Sequence, residues 1–145
     1  MTRKYELPDF LTGVVNQSSY ERWLHRKAVA HVRRDRKRGN ISATNETYKI
    51  AIHRAVNQSS GRDFYTGEVL DWHLISQYDN EQSKAGGRQY KARFALLPTV
   101  DHVNDGLGPA DFQICGWRTN DSKNDLTLAD FIALCRRVIE YQEKA

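Results

Sequence analysis

The stretch from Thr99 to Lys123 constrains the fold more than any other part of the chain. An apolar segment ends in Val100-Asp101-His102-Val103, and a loop containing Gly and Pro follows (Asp105-Gly106-Leu107-Gly108-Pro109). A second short apolar run, Phe112-Gln113-Ile114-Cys115, then leads to Thr119-Asn120-Asp121-Ser122-Lys123. That order predicts two antiparallel strands leading into a helix. Asp101 and His102 are neighbours on a strand, so their side chains face opposite ways unless a bulge or strand end turns one of them. An Asp, a His and an Asn in this layout can bring one divalent cation and one activated water together.

The front of the chain reads as helical. Ser18-Ser19-Tyr20-Glu21 has the form of a capping box and predicts a helix from about Tyr20 to Lys37, stopped by Gly39 and Asn40. Trp23, Leu24, Ala28 and Ala30 or Val32 form its apolar stripe and leave the arginines outside. A second helix is expected from about Asn45 to Asn57, with Tyr48, Ile52, Ala55 and Val56 inward and Ser59-Ser60-Gly61 as its exit. Phe64 to Leu70 reads as a tight hairpin around Thr66-Gly67, while Asp71 to Ile75 suits either a short helix or a third strand. Asp79 to Gln89 is an aperiodic loop, whose Lys84 and Arg88 suit either phosphate contact or plain solvent exposure. Tyr90 to Val103 carries the longest strand signal, with Pro98 limiting pairing midway. A last helix begins near Thr127, and the spacing of Phe131, Leu134, Cys135, Val138 and Ile139 predicts a face buried on the core.

Composition narrows the class. With 145 residues, 39% hydrophobic and 28% charged, one α+β globular domain is expected. Residues 1–60 would form its helical, basic part, and 61–145 the remainder. No apolar run approaches a membrane span and the N-terminal residues lack a signal-peptide core, so the expected address is the cytoplasm, with no membrane partner. Cys115 and Cys135 have no metal-ligand spacing and read as buried, reduced thiols. The net charge of +4 is concentrated: residues 21–40 hold eight basic side chains against Glu21 and Asp35, and the remaining 14 basic residues face 16 acidic ones. Arg33, Arg34, Arg36, Lys37 and Arg38 therefore form a candidate phosphate-facing patch, with a solvated helix end as the plainer reading.

The segment 61–126 resembles the HNH nuclease family, whose core wraps two antiparallel strands and a helix around one metal ion. The residues carrying the likeness are Asp101-His102 on the first strand, Asn120-x-x-Lys123 on the helix side, and Tyr65-Thr66-Gly67-Glu68 upstream. Asp111 stands at the middle position, where the family usually has Asn, and the paired Cys-x-x-Cys knuckles of many members are absent. The resemblance implies a ββα-metal core with an N-terminal helical extension and a C-terminal helix. It also implies a metal-dependent endonuclease acting on DNA, with His102 as general base and Asp101 and Asn120 holding the ion.

Oxygen donors suit Mg²⁺, with Mn²⁺ as a working substitute. Lys123 is a candidate phosphate contact, Asp111 a candidate brace for the loop that orients His102, and Trp117 a candidate stacking surface for a base. Two-strand cutting would favour a homodimer. Two other readings stay open: a nucleic-acid-binding module that has lost turnover through Asp111, and a small domain that engages another protein through its exposed helices.

Overall fold

A computed structural model describes residues 4–76, 92–104 and 106–144 of the chain. Helix α1 (Gln17–Lys37) begins where the Asn16 side chain accepts from the Ser19 amide at 2.8 Å. The cap is thus Asn16 rather than the expected Ser18, whose hydroxyl, like that of Ser19, receives the Arg22 guanidinium instead. Helix α2 (Asn45–Ser59) is capped by Thr44 and ends at Ser60, a non-glycine residue in the left-handed region at φ 51°.

Between the helices and the sheet, the expected hairpin at 64–70 is a tight loop closed by a single bridge, Arg62 to Val69. Its Phe64 amide donates to Ile114 of the sheet at 2.8 Å, so the loop is tied to the strand pair. Trp72–Ser76 settle as a short 3₁₀ helix, with Trp72, Leu74 and Ile75 buried. The loop reading for Asp79 to Gln89, including Lys84 and Arg88, lies outside the described residues.

Strand β1 is Pro98–His102, much shorter than the expected Tyr90–Val103. Residues 92–97 are turned, with Ala95 donating to Ala92 and Leu97 to Phe94. Pro98 accounts for the late start, since it brings no amide donor to a ladder. Phe94 and Leu97 are apolar because they pack into the core, not because they pair. Strand β2 (Phe112–Gly116) lies antiparallel to β1, with His102 opposite Phe112 and Asp101 opposite Gln113. Helix α3 (Trp117–Lys123) follows directly, so the strand, strand, helix order read from the sequence is present.

One hydrophobic cluster joins these pieces. Tyr20, Trp23, Leu24, Ala28 and Val32 of α1 meet Tyr48, Ile52 and Val56 of α2, Trp72, and Val100, Phe112 and Ile114 of the sheet. Burying each large apolar side chain contributes about 1.5–3 kcal/mol relative to exposure. The front third is therefore one wall of the core and not an appendage.

The last helix, α4 (Leu128–Gln142), departs from expectation. Thr127 caps it by accepting from the Asp130 amide at 3.1 Å, yet none of its residues is buried. Ile132 is 41% exposed and Val138 and Ile139 are each 53% exposed. Helical spacing of apolar residues marks a face suited to burial but does not say against what. Here α1 and α2 already fill the core. Cys135 is exposed with that face, whereas Cys115 is buried on β2, where desolvation pushes its thiol up. Among the described residues no helix is long and apolar enough to cross a membrane.

Candidate active site

A cleft of about 590 Å³ opens at the end of β1, lined by Asp101, His102, Asn120 and Lys123 together with Arg34 and Arg38 of α1. Residues far apart in the sequence meet here because α1 runs alongside β1. Lys27 donates to Thr99, His31 contacts the Val100 carbonyl, and Asp35 meets His102. The three helical residues are spaced four apart, which sets them in a row along one face of the helix.

His102 is held from behind by α1. Its Nε2 lies 2.9 Å from Asp35 Oδ2, and Asp35 is fully buried and also accepts from the Tyr48 hydroxyl at 2.6 Å. The contact is close without being an aligned hydrogen bond, and both ring nitrogens of His102 are enclosed. Burial lowers the His102 pKa below its ordinary value of 6.5, and Asp35 only partly offsets that. The imidazole is therefore neutral at neutral pH. Phe112 packs against the ring edge-on, at 4.6 Å between centroids.

His31 is a second neutral imidazole, and its role is architectural. The Arg34 guanidinium donates to Nδ1 at 2.6 Å, so the ring proton sits on Nε2 and faces the Val100 carbonyl at 3.2 Å. Burial and the nearby Arg34 lower its pKa to about 3.

Asp101 is 7% exposed on the opposite face of β1. Its Oδ2 receives the Tyr65 hydroxyl and lies 3.0 Å from the Lys123 ammonium. Tyr65 is delivered by Asp63, a buried carboxylate that accepts from the amides of Tyr65 and Thr66 on one oxygen. Its other oxygen accepts from the Gly116 amide and the Thr119 hydroxyl. This one side chain fastens the Tyr65-Thr66-Gly67-Glu68 loop to the start of α3.

The loop between the strands is positioned from α1 as well. Asn40 donates to the Gly106 carbonyl at 2.8 Å, and Gly106 adopts φ +82° above Asp35. A Cβ there would lie 2.5 Å from Asp35 Oδ1, so only glycine fits between loop and carboxylate.

Most of the sequence-derived site is gathered in the cleft. Asp111 is exposed, and its backbone carbonyl accepts from Val103 at 3.0 Å to close the hairpin, while its side chain is not among the groups lining the cleft. Of the basic cluster, Arg34 and Arg38 line the cleft, whereas Arg36 is spent on the Ala43 carbonyl at 2.9 Å. Arg33 and Lys37 are exposed and do not line it. Trp117 lies on the far side of Asn120, at the edge of a neighbouring cavity.

Asp35 and Asp63 are the site residues that sequence reasoning did not single out. Asp35 left a faint signal: it follows Val32 by three residues, on the same side of the helix as Leu24, Ala28 and Val32, placing a carboxylate where a core residue belongs.

Asp101 and Asn120 supply two oxygen donors on the same cleft, a set that suits a hard divalent ion completed by waters and substrate oxygens. The Lys123 ammonium now sits on Asp101, so an ion binding at Oδ2 would have to displace it. Comparison with known proteins adds no relative: no protein family, curated protein or solved structure matches the chain.

Proposed function

We propose that the protein is a metal-dependent, HNH-like endonuclease that hydrolyses DNA phosphodiester bonds in the cleft beside β1. The observation carrying this reading is the neutral imidazole of His102, backed by the buried Asp35 and lining the same cleft as Asp101 and Asn120. With Nε2–H turned toward Asp35, Nδ1 keeps a lone pair, and because that nitrogen is enclosed, taking a proton from the attacking water requires the ring to turn out toward the cleft. Asp101 and Asn120 would hold the divalent ion, whose contribution when bound is to offset charge on the phosphoryl oxygens and the departing oxygen. Lys123, released from Asp101, adds a positive charge beside the same phosphate. Arg34 and Arg38 hold the strand along α1.

A binding module without turnover is the second reading, and two observations favour it. Asp101 is already neutralised by Lys123, and the His102 ring nitrogens are closed to solvent. Nicking of supercoiled plasmid separates the two. The nuclease reading expects cleavage with Mg²⁺ or Mn²⁺ that disappears in His102→Ala while DNA binding persists. Binding that falls steeply with salt, with no cleavage under any divalent ion, would establish the module instead.

A further inference from the structure

Helix α4 carries an apolar face that nothing among the described residues covers. At about 100° per residue, Leu128, Phe131, Ile132, Val138 and Ile139 all lie within about 60° of Cys135 around the helix, and no residue of α4 is buried. A groove of about 420 Å³ separates this face from Tyr65, Thr66 and Arg118, which leaves room for the side chains of a second helix. We propose that α4 pairs with α4 of a second copy of this chain, antiparallel about a two-fold axis at Cys135. Such pairing needs no nucleic acid and holds whether or not the cleft cleaves DNA.

A helix of 15 residues is marginal in water on its own and gains most of its stability by packing one face. The area on offer fits a second copy. Leu128, Ile132, Leu134, Val138, Ile139 and Tyr141 are 41–72% exposed. With Phe131 and Cys135 they present roughly 600 Å² per copy, at the top of what a monomer usually leaves bare, so a pair would bury roughly 1,200 Å², where specific interfaces begin.

The face is also its own complement. Cys135 stands at the midpoint of Leu128–Gln142. With the two helices turned end for end about that point, Phe131 of one copy meets Ile139 of the other, and Ile132 meets Val138. Apolar side chains of each half thus meet apolar side chains of the opposite half, as a two-fold contact requires. Asp130, Arg137 and Glu140 fall on the far side of the helix and stay in water. Helix α3 links the pair to the cleft: Thr119 and Ser122 border the groove while Asn120 and Lys123 line the cleft, so pairing through α4 places two clefts on one particle.

Sedimentation equilibrium of the full chain from about 1 to 200 µM should show the mass rising from 16.8 kDa toward twice that value, with a Kd of about 10–100 µM for so small an interface. At the dilute end the copies are apart, and α4 then adds little to the stability of the fold. Ile139→Glu should raise the Kd at least about 10-fold while leaving the circular dichroism and the melting of the dilute protein unchanged. Cys135 is the exposed thiol of the two, so a short bismaleimide should join it to its counterpart in the dimer. Cys135→Ala combined with Arg137→Cys moves that thiol to the far side of the helix and should not be joined.

A chain that stays monomeric up to about 200 µM overturns the pairing. In that case a Cys135 protected from maleimide would show that another part of this chain covers the face, and a reactive one that the face is left to a different partner. A dimer that survives Ile139→Glu, or that is joined as readily through Arg137→Cys, overturns the face and the axis.

Discussion

At the scale of single residues, the position of His102 depends on a carboxylate 67 residues earlier in the chain. Asp35→Asn keeps the volume and the Tyr48 contact but removes the charge that favours Nε2–H. Cleavage is expected to fall about 10- to 100-fold, the usual cost of losing an orienting partner. The pH profile should report the role as well. The wild-type rate should rise with pH through a midpoint below 6.5 and then level, because burial lowers the His102 pKa. Asp35 raises that pKa, so Asp35→Asn should move the midpoint lower still. An unchanged midpoint together with a lower rate would make Asp35 merely structural.

The same histidines couple stability to acid. His31 and His102 both bind protons more weakly folded than unfolded, so the unfolded chain takes up more protons once pH drops below about 6.5. Their stabilisation is therefore complete above that value and is lost as pH falls, by up to about 1.4 kcal/mol per pH unit for each group. Urea midpoints measured from about pH 7 down to pH 4 should decline, and less steeply in His31→Gln.

At the scale of elements, the loop between the strands is fixed by what lies under it. Gly106→Ala brings a Cβ against the Asp35 carboxylate at a positive φ, and a loss of about 1–3 kcal/mol is expected in chemical denaturation. Helix α4 behaves in the opposite way. Removing residues 127–145 takes away no buried side chain, so the melting temperature should change by less than about 3 °C. A large drop would mean that α4 is covered in solution by part of this chain.

These two elements also mark where the sequence could be read and where it could not. The end of α1, the start of α2 and the order of β1, β2 and α3 follow from caps, glycines and short-range spacing, which are local chemistry, while the start of α1 lay three residues earlier because Asn16 took the cap from Ser18. The fate of α4 depended on whether the core had room, and Phe94 and Leu97 looked like strand because burial and pairing select the same side chains. Asp101, His102, Asn120 and Lys123 were legible as a group because a hairpin and a short helix bring them together over 23 residues of chain. Asp35 was not, since no local pattern links a helix near the N-terminus to a strand near residue 100.

At the scale of the molecule, the charge of the front third is divided by direction rather than spread over one patch. Arg34 and Arg38 line the cleft, while Arg33 and Lys37 are exposed and do not line it. Replacing Arg34 or Arg38 by Ala should reduce the salt dependence of DNA binding by about one unit of log-log slope each, with a smaller change for Arg33 or Lys37. Equal effects at all four positions would point to diffuse attraction instead of a track.

Helix α1 buries one side in the hydrophobic interior while the adjoining side walls the cleft and the neighbouring cavity and meets β1, so its angular phase is fixed twice over. One residue inserted near Val29 would turn everything downstream by about 100°. Asp35 would swing off His102, and an arginine would rotate toward Phe112 and Tyr48. Changes in chain length should therefore be costly anywhere within those nearly six turns, and also up to Asn40, whose amide holds the Gly106 carbonyl. Natural or engineered variants that differ in length there would expose this helix as a ruler read from two sides.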